Sequence, residues 1–315
     1  MKINQSFVEL LKELYSENYS EDIENRYNED VIHEFEKEDD KYYAHLGAIK
    51  RKLNNFGKIH NSYLLIDNVV TKERRRQGIF TNLYEKIESK ISDADLIYCF
   101  PLAYELLFFV DRKNYDIVGQ IPIYVKNIDY KSDRLSFPLK MIMKFLMWKN
   151  RSRIKIDTSN YHCKKVDSVH QSWEDLFRQL SSNYPLMTFR TYDFLCKKVA
   201  NRKNYIFLES YNGNELSGYL IAKIIEKTGY KFSVIMDIIA SDDESRKVLI
   251  DELQKITLEQ NGVMVVTFLN DMDKDFFRKE AFLYSKRDVP MIIKSDGLGT
   301  KLTEWYVLPI EGEFY

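Results

Sequence analysis

Ile79, Leu83, Ile87 and Ile91 fall four apart along the chain, which predicts an amphipathic helix with a single buried stripe. Ahead of it, YYAHLGAIKRKL and KIHNSYLLIDNVV are rich in β-branched and aromatic residues and predict two strands. Asn54, Asn55, Phe56 and Gly57 carry turn chemistry between them, so the pair reads as a hairpin. The opening, from Ser6 to about Glu38, reads as helical. Phe7, Leu10, Leu11 and Leu14 share one face, and Ile23, Tyr27, Val31 and Ile32 form a second, more polar segment. The run Glu36 to Lys41 (EKEDDK) reads as a solvated loop. Beyond the amphipathic helix come a buried strand (ADLIYCF), another helix (LAYELLFFV) and a closing strand (DIVGQIPIYVK).

The same order recurs in the second half. GYLIAKIIEKTGYKFSVIMDIIA is a hairpin turning near Thr228 and Gly229, and KVLIDELQKITLEQNG is a helix with Leu249, Leu253 and Ile256 inward. VMVVTFLN, FFRKEAF and RDVPMIIK then supply a strand, a helix end and a closing strand. Asp67 and Asp237 stand at matching places, as do Pro122 and Pro290, so the chain reads as an internal repeat. The expected organisation is a first domain over 1–130, a linker with a bridging helix over 131–155, and a second domain over 156–315.

Composition narrows the function. With 44% hydrophobic and 30% charged residues, each half can bury a core, which excludes a disordered chain. Lys and Arg number 47 against 48 acids, a balance unsuited to nucleic acid, whose binding rests on neutralising phosphates. Cys99, Cys163 and Cys196 form no CxxC pair, and His45, His60, His162 and His170 have no ligand spacing, so no metal site is expected. The start, MKINQSFVELLKEL, has acids in its first apolar stretch and no small-residue cleavage site, which predicts no signal peptide. The most apolar stretch, Phe137 to Trp148, contains two lysines and is shorter than the ~20 residues that cross a bilayer. A soluble cytoplasmic protein is expected.

The chemistry concentrates in IDNVVTKERRRQGIFTNLYEKI: a strand, an arginine-rich turn with one glycine, and a helix. Such a turn points helix N-terminal amides outward as an anion site, and Gly78 has no Cβ to keep a phosphate from the main chain. Arg75-Arg76-Gln77-Gly78-Ile79-Phe80 resembles the Gln/Arg-x-x-Gly-x-Gly/Ala pattern of the GNAT acetyltransferases, with Phe80 in the last place. YYAH, DNVV, the CFP after the next strand and the tail EWYVLPIEGEF are similar to a GNAT branch found among surface-polysaccharide biosynthesis proteins.

That resemblance implies an α/β fold of two tandem GNAT-like domains, each a mixed twisted sheet flanked by helices. It implies acetyl-CoA as donor, without a metal, and a small amine acceptor such as an amino sugar. It also implies that Asn68, Val69 and Val70 present their backbone to the thioester, while Arg74, Arg75, Arg76, Gln77, Gly78, Ile79 and Phe80 hold the cofactor phosphates. Asp67, inside the apolar run YLLIDNVV, reads either as general base or as a hydrogen-bond partner bracing the strand end. The family's asparagine and tyrosine positions hold Ala103 and Val110, leaving Tyr104 as a substitute general acid or a packed aromatic. In the second half SDDESRKVLI has no glycine and three acids where the phosphate loop would lie, although Asn270 and Phe277 are kept, so it reads as a pseudo-domain. Two rival readings stay open: a CoA-binding regulatory protein without turnover, and an aminoacyl-tRNA-dependent peptidyltransferase.

Overall fold

The hairpin predicted around Asn54 is present as β2 (Lys41–Asn55) and β3 (Lys58–Val70), paired antiparallel. Phe56 and Gly57 both take positive φ at its turn, and the Gly57 amide donates to Asn54 Oδ1 at 3.1 Å. The computed structural model describes residues 5–15, 30–129, 141, 156–199, 204–227 and 229–312. The predicted bridging segment Phe137–Trp148, apart from Met141, lies outside the described residues, as do Ile23 and Tyr27.

By contacts the chain divides into two units. The first contains residues 1–119, 186–189 and 290–304. Its sheet runs β1 (Val31–Glu38), β2, β3, β4 (Leu96–Cys99) and the end of β12 (Leu283–Ser295), with the short β7 (Met187–Thr188) continuing the β2 edge. Helix α1 (Gln5–Tyr15) covers one face through Phe7, Leu10 and Leu11, which pack with Val69. Helix α2 (Ile79–Lys90) covers the other, where Leu83, Tyr84 and Ile87 meet Ala44, Leu46, Ala48, Tyr63 and Leu65. Alternation along β2 and β3 sends successive side chains to opposite faces, so both helices find an apolar surface.

Val31 to Glu38 is a strand, not the helical segment and loop that the sequence suggests. Its period of two puts Glu34, Glu36 and Glu38 in ion pairs with Lys90, Lys86 and Arg74, while His33 and Phe35 meet the α1 side. The acidic run is therefore one strand edge neutralised by the helix and loop beside it, followed by a turn at Asp39 with φ 51°. Pairing with β2 decided this, and a 3.6-residue reading carries no information about that partner.

The second unit contains residues 120–185, 190–289 and 305–315. Its ladder runs β5 (Asp116–Asn127), β11 (Gly262–Phe268), β10 (Tyr230–Ala240), β9 (Glu215–Lys227), β8 (Tyr205–Asn212) and β6 (Tyr161–Val166). Helix α4 (Gln171–Leu180), with α5 (Tyr192–Val199) against it, packs on β9 from one face and α6 (Asp243–Glu259) on β8 to β11 from the other. Leu249, Leu253 and Ile256 are buried, as their spacing predicts.

The closing strands are exchanged. β5, which ends the first half of the chain, pairs through Ile123–Asn127 with β11 of the second unit, and Leu96–Cys99 of the first unit pairs with Ser295–Ile292 of β12. The sequence reading leaves each closing strand with its own half. IPIYVK and VPMIIK are interchangeable in character, so strand pattern alone carries no preference between the two arrangements.

Candidate active site

Two features of the first unit converge at the end of β3. The parallel ladder between β3 and β4 covers Ser62 to Leu64 and stops there, whereas β3 continues to Val70. The backbone from Leu65 onward therefore extends past the β3–β4 ladder. On the other edge, Ile66 pairs with Gly47 and Val69 with His45, so Asp67 and Asn68 together oppose Leu46 in a bulge. Asp67 holds φ 52°. A Cβ on Gly47 would stand 2.9 Å from Ile66 Cγ1, so glycine is what lets β2 lie against the bulged strand.

The bulge is braced from the α1 side. His45, fully buried, donates Nδ1–H to the Asp67 carbonyl at 3.0 Å, and its Nε2 lies 3.1 Å from His33 Nδ1. Because the carbonyl only accepts, His45 carries its proton on Nδ1 and His33 donates to Nε2. Burial lowers both imidazoles to about 4, so the pair is neutral at pH 7. The Asp67 carboxylate pulls both the other way.

Past Val70 the chain makes a 3-10 turn (Lys72–Arg74) and enters α2 through Gly78. Arg76 and Gly78 take φ 65° and 77°, and in the stretch from 58 to 113 Asp67, Arg76 and Gly78 are the positive-φ residues. Left-handed backbone costs an L-residue ~1–2 kcal/mol, so two of these three conformations store strain at the site. No side chain caps α2 at Gly78, and nothing lies within 4 Å of where a Gly78 Cβ would be. The Gly78 carbonyl accepts from Asn82, leaving the amides of Ile79 and Phe80 at an open positive helix end.

The basic residues divide by role. Arg74 is held by Glu38 and lies over the Tyr43 ring at 5.1 Å. Arg75 donates Nε–H to the Val70 carbonyl at 3.0 Å, and Gln77 donates to the Glu73 carbonyl at 3.3 Å. Arg75, Arg76 and Gln77 are exposed. Phe80, which departs from the small residue of the motif, packs edge-on against Phe108 and Phe109 and fastens the start of α2 to α3 (Ala103–Lys113). Tyr104 stands in the first turn of α3, and its side chain lies outside the described residues. Cys99 ends β4 with 1% exposure, and burial, aided by the Glu105 charge, pushes its thiol well up, so it is a packed thiol.

Sequence reasoning overlooked Glu105. It lies on the first turn of α3, three residues after Leu102, whose amide donates to Oε2 at 2.9 Å. Burial pushes its carboxyl up to about 7, against the pull of that amide. The available signal was a lone charge inside LAYELLFFV at the third helical position, where capping carboxylates sit.

The second unit repeats the architecture but fills it. The β10–β11 ladder stops at Val234 while β10 runs to Ala240, the same six-residue overhang, and the register shifts between Ile235 and Asp237. Asp237 is fully buried and takes both Arg190 Nε–H, at 3.1 Å, and the Tyr219 hydroxyl, at 3.0 Å. Asp242 caps α6 by accepting from the Ser245 amide at 2.7 Å, and Arg246 turns inward to Asp243 and Asp273. The tail residues Trp305 to Leu308 are buried: Asn270 exchanges two hydrogen bonds with Val307, and Tyr306 donates to Asp273 at 2.6 Å. Among the described residues no group of three or more His, Cys, Asp or Glu is arranged to hold a metal ion.

No protein-family model matches the sequence, and no curated protein matches it by sequence. Solved structures do match the fold. A GCN5-related N-acetyltransferase from Anabaena variabilis superposes with a TM-score of 0.67 at 10% identity, over 92% of this chain and 69% of that one. A probable N-acyltransferase from Enterococcus faecalis gives 0.63 at 13% identity, over 95% and 71%. Saccharomyces cerevisiae N-myristoyltransferase with bound myristoyl-CoA gives 0.54 at 12%, over 82% of this chain and 64% of the yeast protein. The chain has the mixed α/β fold of the GNAT acyltransferases. No helix among the described residues is long and apolar enough to cross a membrane.

Proposed function

We propose that the protein transfers an acyl group from CoA to an amine, with the cofactor held by the first unit. The carrying observation is the conjunction of a β3 that extends past the β3–β4 ladder after Leu64 with an uncapped α2 N-terminus at Gly78. The strand end past the ladder offers its backbone to a pantetheine and a thioester carbonyl, and the helix end offers amides and a dipole to a pyrophosphate. Ile79 and Phe80 supply those amides, with Arg75, Arg76 and Gln77 at the mouth. Asn68, Val69 and Val70 line the strand end. Arg74 acts by holding the loop to Glu38. The acyl-CoA chemistry of the structurally similar enzymes supports this reading, and the resemblance to the polysaccharide branch favours acetyl-CoA with an amino sugar as acceptor.

One chain should bind one CoA despite the repeat. In the second unit the Asp242 carboxylate occupies the Ser245 amide at the helix start, and the Asp243 and Glu244 charges would face a pyrophosphate. Titration calorimetry to saturation, with electron density from a CoA-soaked crystal, should show unit stoichiometry beside Gly78. A second, equally occupied site beside Ser245 would overturn the assignment.

Asp67 is assigned as the base that takes the amine proton, since the bulge sets it where β3 extends past the β3–β4 ladder. Asp67→Asn should lower thiol release from acetyl-CoA, measured across an amine panel, by ~10²–10⁴-fold. CoA affinity and melting temperature should stay close to wild type. A fall in stability with undiminished turnover would reassign Asp67 to bracing the strand.

A further inference from the structure

We propose that Glu105 is the proton donor to the thiolate that leaves the acyl-CoA, an inference that rests on the acyl-transfer reading above. The sites at which GNAT sequences carry an asparagine and a tyrosine hold Ala103 and Val110, so the expected acid is missing from α3. Glu105 stands on the first turn of the same helix, where its carboxyl folds back to accept from the Leu102 amide. The β3–β4 ladder ends at Leu64 and Tyr98, β4 ends at Cys99 and α3 begins at Ala103, so this carboxyl stands at the helix start that follows the end of β4.

Oε2 is occupied by the Leu102 amide at 2.9 Å, and no described residue bonds Oε1. The other charges of α3, namely Asp111, Arg112 and Lys113, sit at its far end, ~9–12 Å along the axis. Lys113 is moreover paired with Glu85 at 3.3 Å. Among the described residues no cation is paired with Glu105, and burial pushes its carboxyl up to about 7. When the tetrahedral adduct collapses, the C–S bond breaks and its electron pair goes to sulfur. Sulfur then takes the Glu105 proton to give CoA thiol. The carboxylate regains a proton from water, while the amine proton leaves through Asp67.

Glu105→Gln separates this role from a structural one, because the amide oxygen still accepts from Leu102 and keeps the helix start. Calorimetry of CoA binding at pH 7, in buffers of different ionisation enthalpy, tests the juxtaposition without turnover. A thiol seated against Glu105 desolvates it further, so wild type should take up a fraction of a proton, up to ~0.5, and Glu105→Gln none. The dissociation constant should stay within ~3-fold. In turnover with acetyl-CoA, wild type should lose rate as pH rises through 7, because the acid form is the active one. Glu105→Gln should be ~100-fold slower and lack that limb. Equal proton uptake in both proteins, with CoA still bound, overturns the Glu105 assignment alone. Failure of wild type to bind CoA removes the acyl-transfer reading with it.

Discussion

Gly78→Val is expected to weaken CoA binding by ~1–3 kcal/mol, the scale of lost charged hydrogen bonds. In dissociation constant that is roughly 5–150-fold. Gly78 holds φ 77° and ψ 0° as the N-cap of α2, a conformation that costs any L-residue ~1–2 kcal/mol and a β-branched one most. Relieving the strain rotates the peptide that carries the Ile79 amide away from the ligand. The valine methyls would also stand where a pyrophosphate meets the main chain. Since no atom lies within 4 Å of the added Cβ, the variant should remain folded, and the loss should appear in affinity more than in the melt. Calorimetry beside a thermal melt measures both. An unchanged dissociation constant in the folded variant would move the cofactor site away from this loop.

The largest effect on stability should come from Arg190→Met. Arg190 is fully buried between Asp237, at 3.0 Å, and Glu311, at 2.7 Å. Burial works against the guanidinium charge, and the two carboxylates overcome it, so the arginine stays charged. Its removal leaves two carboxylates in a dry interior, a class of change that costs ~3–5 kcal/mol. For a unit of this size that corresponds to a melting temperature lower by roughly 6–20 °C. Adding Asp237→Asn and Glu311→Gln should restore much of the loss, because the penalty lies in the uncompensated charges rather than in missing attraction. A drop of less than ~2 °C in the single variant would mean that water reaches the cluster.

The contrast between Asp67 and Asp237 shows how far sequence reaches. Their equal places in the repeat are legible, and the structure gives both a shifted strand register and a six-residue overhang past the parallel ladder. What differs is the surroundings. Asp237 meets an arginine 47 positions away that is itself paired with Glu311 of the tail, whereas the Asp67 carbonyl accepts from His45. Neither partner follows from spacing. The disagreement between a capped α6 and an uncapped α2 was closer to the surface of the sequence, in Asp242-Asp243 against Gln77-Gly78.

By itself the sequence determined the features that depend on near neighbours: the α2 stripe, the turn at Phe56 and Gly57, and the start of α2 after Gly78. These follow from periodicities and backbone preferences acting over a few residues. Tertiary structure alone decided that Val31–Glu38 is a strand, that β5 and β12 close the opposite sheets, and that the tail is buried in the second unit. It also decided that Glu105 is desolvated. Each of these is a choice among partners distant in sequence, set by which surfaces exclude water together, and short-range pattern carries no term for that.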